Sequence, residues 1–152
     1  MKKTLKIFSL LLLVLVGTSL SACGDDDDDV IVPAASLPEA ASSFIKTYYP
    51  SVKVAYVNRE TDKGEVQYEV RMTSGDEITF DASGEWIDVD APAGRSIPEG
   101  IVIVPIVDYV AANYSGAGIN EISRIAVGYE VELTNGVDLR FDPAGNFLTQ
   151  SY

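Results

Sequence analysis

Two periodicities alternate along the chain. Val66, Tyr68, Val70 and Met72 alternate with Gln67, Glu69, Arg71 and Thr73, the period of two that a strand with one buried face produces. Ser74-Gly75 interrupts the pattern, and Ile78 and Phe80 then alternate with Glu77, Thr79 and Asp81. Asp81-Ala-Ser-Gly84 suits a type I turn and leads into a short strand carrying Trp86-Ile87. Upstream, Leu37, Ala40, Ala41, Phe44, Ile45 and Tyr48 recur at helical spacing, and Pro50 stops that helix. A strand over residues 52–60 leads from the helix to the hairpin. The predicted unit is a helix followed by an antiparallel meander with one apolar and one polar face.

The chain carries this unit twice. Shifted by 61 positions, Tyr68–Ile87 lies without a gap on Tyr129–Leu148, and eight of the twenty positions are identical. A fixed internal period sets the architecture. In the second copy Ile125, Val127, Tyr129, Val131 and Leu133 are expected on one strand face. Asn135-Gly136 predicts a type I′ hairpin turn with positive φ at both residues, and Asp142-Pro-Ala-Gly145 repeats the type I turn. The second helix is placed from Pro105, with Ile106, Val107, Val110, Ala111 and Tyr114 inward and Gly116 and Gly118 at its end. Ser36-Leu-Pro-Glu39 and Ser96-Ile-Pro-Glu99 both read as capping boxes. One unit buries too little surface to be stable alone. Two units sharing a core, or joined edge to edge, make one α+β domain of two tandem helix-then-meander repeats. Residues 37–90 form the first repeat and 97–152 the second, with a linker at 91–96 and the helices over the apolar face of the sheet.

The first 22 residues have another purpose. Lys2, Lys3 and Lys6 precede an apolar run from Ile7 to Val16, and Leu20-Ser-Ala-Cys23 follows, the layout of a signal peptide. Leu-Ser-Ala-Cys resembles the lipobox of bacterial lipoproteins, which implies cleavage before Cys23, its acylation and a lipid anchor in the membrane. Cys23 is the only cysteine, so an intrachain disulfide is excluded. Residues 23–36 read as an acidic tether, because five adjacent aspartates, Asp25 to Asp29, repel one another and stay solvated. This run resembles the acidic tag after the lipidated cysteine of some surface-exported lipoproteins. The expected place is the cell envelope, on an outer-membrane lipoprotein that is surface-exposed or faces the periplasm.

The formal charge is −12, and removing three lysines with the leader makes it −15. Such a surface excludes nucleic acid and anionic lipid as partners of a basic patch. The chain has no histidine, which removes Ser-His-Asp and Cys-His nucleophile pairs and nearly all zinc sites. Ser43-Phe-Ile-Lys46 and Tyr56-Val-Asn58 match fragments of penicillin-recognising serine enzymes, but no Lys-Thr-Gly strand follows. Ser43 and Lys46 fit better at the solvent edge of the first helix. Asp88 with Asp90, or Asp81 with Asp142, offer carboxylate pairs. Asp81 and Asp142 open tight turns, however, where aspartate bonds to its own backbone. No enzyme activity, cofactor or metal is expected.

Leu37-Pro38, Phe44 to Pro50, Tyr68-Glu-Val, Phe80-Asp and Gly84-Glu-Trp86 together resemble the PepSY-like family of secreted bacterial proteins. The second copy repeats the pattern through Tyr109 to Tyr114, Gly128 to Gly136 and Phe141 to Phe147, although Ser115-Gly116 stands where the first copy has Tyr-Pro. The family is described as similar to the β-lactamase inhibitory protein. The resemblance implies tandem units in an extended antiparallel sheet and no catalysis, and it transfers no inhibitory residue. The two copies agree in their apolar positions and differ on the polar face. That face is expected to carry Gln67, Glu69, Arg71, Glu77 and Thr79 from one copy and Glu130, Glu132, Asp138 and Arg140 from the other. Cross-strand charge pairing and partner binding compete as explanations. The expected function is a non-enzymatic, membrane-tethered, inhibitor-like module for a protein or peptide, read through this face and the hairpin loops. The alternative is an accessory lipoprotein that binds a small ligand or glycan.

Overall fold

A computed structural model describes residues 29–62 and 64–151. The leader, Cys23 and most of the aspartate run lie outside the described residues. Strand β1 (Val30–Val32) and a 3-10 turn (Ala34–Ser36) precede helix α1 (Glu39–Tyr48). Strands β2 (Val54–Asp62), β3 (Glu65–Met72), β4 (Glu77–Asp81) and β5 (Trp86–Asp90) follow. Helix α2 (Val104–Asn113) then leads into β6 (Ile119–Ile125), β7 (Gly128–Leu133), β8 (Asp138–Phe141) and β9 (Phe147–Ser151). All nine strands form one antiparallel sheet in chain order.

The register explains why the sheet holds as one layer. Val32, Val57, Val70, Ile78, Val89, Ile122, Val131 and Leu139 stand side by side on eight consecutive strands. From Val57 onward every member is 0% exposed, and each buried side chain of this size contributes about 1.5–3 kcal/mol. A parallel row holds the buried Phe80 and Phe141. Phe44 of α1 meets Phe80 edge-on at 5.5 Å, and Tyr109 of α2 meets Phe141 edge-on at 5.4 Å. Both helices therefore pack on the same face of the sheet, as expected from the apolar pattern.

The turns after β4 and β8 set how closely the helices approach. Gly84 and Gly145 sit at φ +87° and +85°. A Cβ on Gly84 would lie 2.8 Å from the backbone nitrogen of Ala41 and from Pro38 Cβ; on Gly145 it would lie 2.9 Å from Pro105 Cβ. Asp81 Oδ1 accepts from the N–H groups of Ser83 (2.8 Å) and Glu85 (3.0 Å), and Asp142 Oδ1 from those of Ala144 (2.9 Å) and Asn146 (2.8 Å). The two aspartates thus hold their own turns.

Several expectations need correction. Neither capping box forms: Ser36 closes the 3-10 turn, Pro38 caps α1 without a side-chain bond, and α2 begins only at Val104. Residues 30–32, placed in the tether, instead add β1 to the sheet edge, because Val32 extends the buried row beside Val57. Asn135-Gly136 does not make a two-residue turn. Leu133 bonds with both Gly136 (2.8 Å) and Val137 (2.9 Å), so the loop is three residues long and Gly136 takes the left-handed position at φ +79°. Ile125 and Val127 do not share a strand with Tyr129: the strand turns there, and Val127 is 59% exposed. Val107 and Ala111, expected inward on α2, are exposed, because Ile106 and Val110 take the inner face. Asn120 Nδ2 donates to the carbonyls of Ala91 (2.8 Å) and Arg95 (2.8 Å), which pins the connection between β5 and α2.

Candidate functional site

The face of the sheet opposite the helices carries all nine of the expected face residues. One row runs Asn58, Glu69, Thr79, Asp88, Ser123, Glu130, Arg140 and Thr149. The next runs Tyr56, Arg71, Glu77, Asp90, Glu121, Glu132, Asp138 and Ser151. Gln67 lies in a third row, between Glu60 and Asp81. The two groups expected from the two copies thus form one surface. They are joined by Asp88, Asp90, Glu121 and Ser123 on β5 and β6, which were not among the expected face residues. The alternation Asp88-Val89-Asp90 and Glu121-Ile122-Ser123 carried that signal, but only the pairing of β5 with β6 puts them beside each other.

Five carboxylates therefore stand on consecutive strands in one row: Glu77, Asp90, Glu121, Glu132 and Asp138. Burial and then the carboxylates of Glu121, Asp88, Glu77 and Glu132 push Asp90 up to about 7. Burial, then Glu77 and Glu60, raise Glu69 to about 7, with Arg71 opposing. The two arginines are engaged within the face. Arg71 is paired with Glu77 and donates to the Gly75 carbonyl at 3.2 Å; Arg140 lies 3.3 Å from Glu130. Both act as local counter-charges, so the carboxylates dominate the surface. Ser123 donates to Asp88. Among the described residues no group of three or more carboxylates is arranged to hold a metal ion.

These two raised pKa values fix a sign. A carboxyl that titrates near 7 when folded and near 4 when unfolded binds its proton more tightly in the native state. Stability then falls as pH rises from about 4 to about 7. Lowering the pH from 8 to 5 should raise the melting temperature. Asp90→Asn should stabilise the domain by about 1 kcal/mol at pH 8, discounted for partial exposure, and do nothing near pH 4. Thermal melts of both proteins across this range check it, and an equal effect of the substitution at both ends would exclude a titrating Asp90.

Residues 27–67 and 66–149 match the family model described as β-lactamase-inhibitor-like, PepSY-like. The chain belongs to this family. Three solved structures share the fold of this PepSY-like chain. One, a protein of unknown function from Bacteroides vulgatus that is provisionally described as periplasmic, is 35% identical over 82% of this chain and 100% of its own, with TM-score 0.78. A second protein from the same species, provisionally described as periplasmic, is 37% identical over 84% and 99%, with TM-score 0.78. A third, from Bacteroides thetaiotaomicron and provisionally described as calcium-regulated and periplasmic, is 34% identical over 82% and 97%, with TM-score 0.77. No curated protein matches the chain.

No helix among the described residues is long and apolar enough to cross a membrane.

Proposed function

We propose that this PepSY-like chain is a non-enzymatic binding module that takes a basic stretch of polypeptide on the open face of its sheet. The observation that carries this is the row of five carboxylates from Glu77 to Asp138, backed by Glu69, Asp88 and Glu130 in the next row. Close-set like charges raise each other's energy, and Lys or Arg side chains of a partner relieve that repulsion while fixing orientation. The module consists of two tandem repeats whose hairpin loops frame the face. The inhibitor-like description of the family supports binding without catalysis.

The test uses two variants of equal charge. One replaces Asp90, Glu121 and Glu132 by Asn, Gln and Gln; the other replaces the exposed Glu39, Glu65 and Glu99 by Gln. Binding of a lysine-rich peptide, measured by fluorescence anisotropy at physiological salt, should weaken about tenfold or more in the first and little in the second. Equal weakening would reduce the interaction to net charge and remove the face as a site.

The same module is tethered by a lipid on Cys23, on an outer-membrane lipoprotein facing the periplasm or the surface. The leader pattern supports the anchor, and the periplasmic descriptions of the relatives support the compartment. Cys23→Ala should move the protein from the membrane pellet to the soluble fraction after a carbonate wash. Retention in the pellet would overturn the lipid tether.

A further inference from the structure

Where α1 ends, the β3–β4 hairpin and the connection after β5 border a shallow, open cleft lined by Tyr48, Tyr49, Ser74, Asp76, Arg95 and Pro98. We infer that this cleft binds a neutral, hydroxyl-rich ligand, a saccharide unit, through Tyr49, Asp76 and Arg95. The site is separate from the carboxylate face and does not depend on it.

Its polar groups are held in place before any ligand arrives. Asp76 is only 3% exposed, and its Oδ2 accepts from Ser74 Oγ at 2.5 Å and from Arg95 Nη2 at 2.6 Å. Arg95 Nη1 also donates to the Ser74 carbonyl at 3.3 Å, while Asn120 clamps the Arg95 carbonyl from β6. The Arg95 side chain lines the cleft and stays about half exposed, and its guanidinium has N–H groups beyond those bonded to Asp76 and Ser74. Tyr49 is 4% exposed, and its hydroxyl is buried with no hydrogen-bond partner among the described residues. A buried hydroxyl without a partner is costly.

The second half of the chain supplies an internal control. Tyr114, one residue before the Ser115 expected at this place, caps α2 as Tyr49 caps α1, each through its N–H. The Tyr114 hydroxyl donates to Gln150 at 2.9 Å, and the position matching Asp76 is Val137. The fold therefore requires neither the buried aspartate nor an unpartnered phenol. They belong to the first half alone, which is what a ligand site added to a shared scaffold produces.

The class of ligand follows from charge and shape. Asp76 and Arg95 neutralise each other, so a free anion meets the field of an acidic domain and a free cation meets Arg95. A neutral molecule is left. Adjacent sugar hydroxyls each donate and accept, which matches the donors of Arg95, the amphoteric hydroxyl of Tyr49 and the acceptor lone pairs of Ser74, whose proton goes to Asp76. The partly exposed Tyr48 ring and Pro98 offer apolar surface to the C–H face of a pyranose.

The experiment is saturation-transfer NMR on the full chain in detergent micelles, with glucose, galactose, mannose and N-acetylglucosamine at millimolar concentration. At least one sugar should receive saturation. Tyr49→Phe should weaken its binding about tenfold, with the melting temperature unchanged or higher, because no hydrogen bond of the fold is lost. Arg95→Lys, which keeps the charge and loses the fork, should weaken it too. Absence of transfer to every sugar overturns the proposal, as does binding unchanged in Tyr49→Phe. A lowered melting temperature for Tyr49→Phe does the same, since it would show that the hydroxyl already serves the fold.

Discussion

Gly84→Ala should destabilise the domain by about 2–5 kcal/mol. Roughly 1–2 kcal/mol comes from holding a side chain in the left-handed region, where φ is +87°. A further 1–3 kcal/mol or so comes from overpacking, because the added Cβ would meet the Ala41 nitrogen and Pro38 Cβ at 2.8 Å. Those atoms belong to the start of α1, so relief requires the helix to move off the sheet and open the contact of Phe44 with Phe80. Gly136→Ala is the matched control: φ is +79°, but nothing lies within 4 Å of the new Cβ. It should cost only about 1–2 kcal/mol. Urea unfolding of the two variants separates the terms, and equal losses would mean that close approach to the helix contributes nothing.

Ile122→Ala should cost about 2–5 kcal/mol, the range for emptying a fully buried aliphatic site, and should do so without splitting the transition. Ile122 stands between Val89 and Val131 at 0% exposure, so it joins the strands before α2 to those after it. The chain has one tryptophan, Trp86 on β5, which packs against Arg124 of β6 and Tyr129 of β7 and so reports on the junction of the two halves. Unfolding followed by its fluorescence should coincide with loss of far-UV circular dichroism, in the wild type and in the variant. Two separated midpoints would show that the halves fold independently and that the shared row is not a common core.

Much of this molecule is local, and what is local was legible. The period of two at Tyr68–Met72 and the helical spacing of Ala41 and Ile45 placed strands and helices within a few residues, because each depends on neighbours in the chain. The nine expected face residues, from Gln67 to Arg140, fall on one face for the same reason: alternation fixes the side of a strand whatever its partner. Short-range rules failed where backbone bonds competed with side chains. Ser36 satisfies a 3-10 turn instead of capping α1, and Gly136 fits a three-residue loop.

What the sequence by itself determined is the repeated pattern, the two helices, and the division of each strand into an apolar and a polar side. Which residues become neighbours was decided by tertiary structure alone. The pairing of Asp90 with Glu121, and of Val89 with Ile122, joins segments distant in the chain, and only that pairing turns two acidic groups into one continuous row. The cleft has the same origin. Tyr49, Asp76 and Arg95 lie on a helix end, a hairpin and a connection, and they meet because Asn120 of β6 ties the connection down. Local periodicity reports which way a side chain points, whereas contacts between distant segments depend on strand order and register, which no short window of residues encodes.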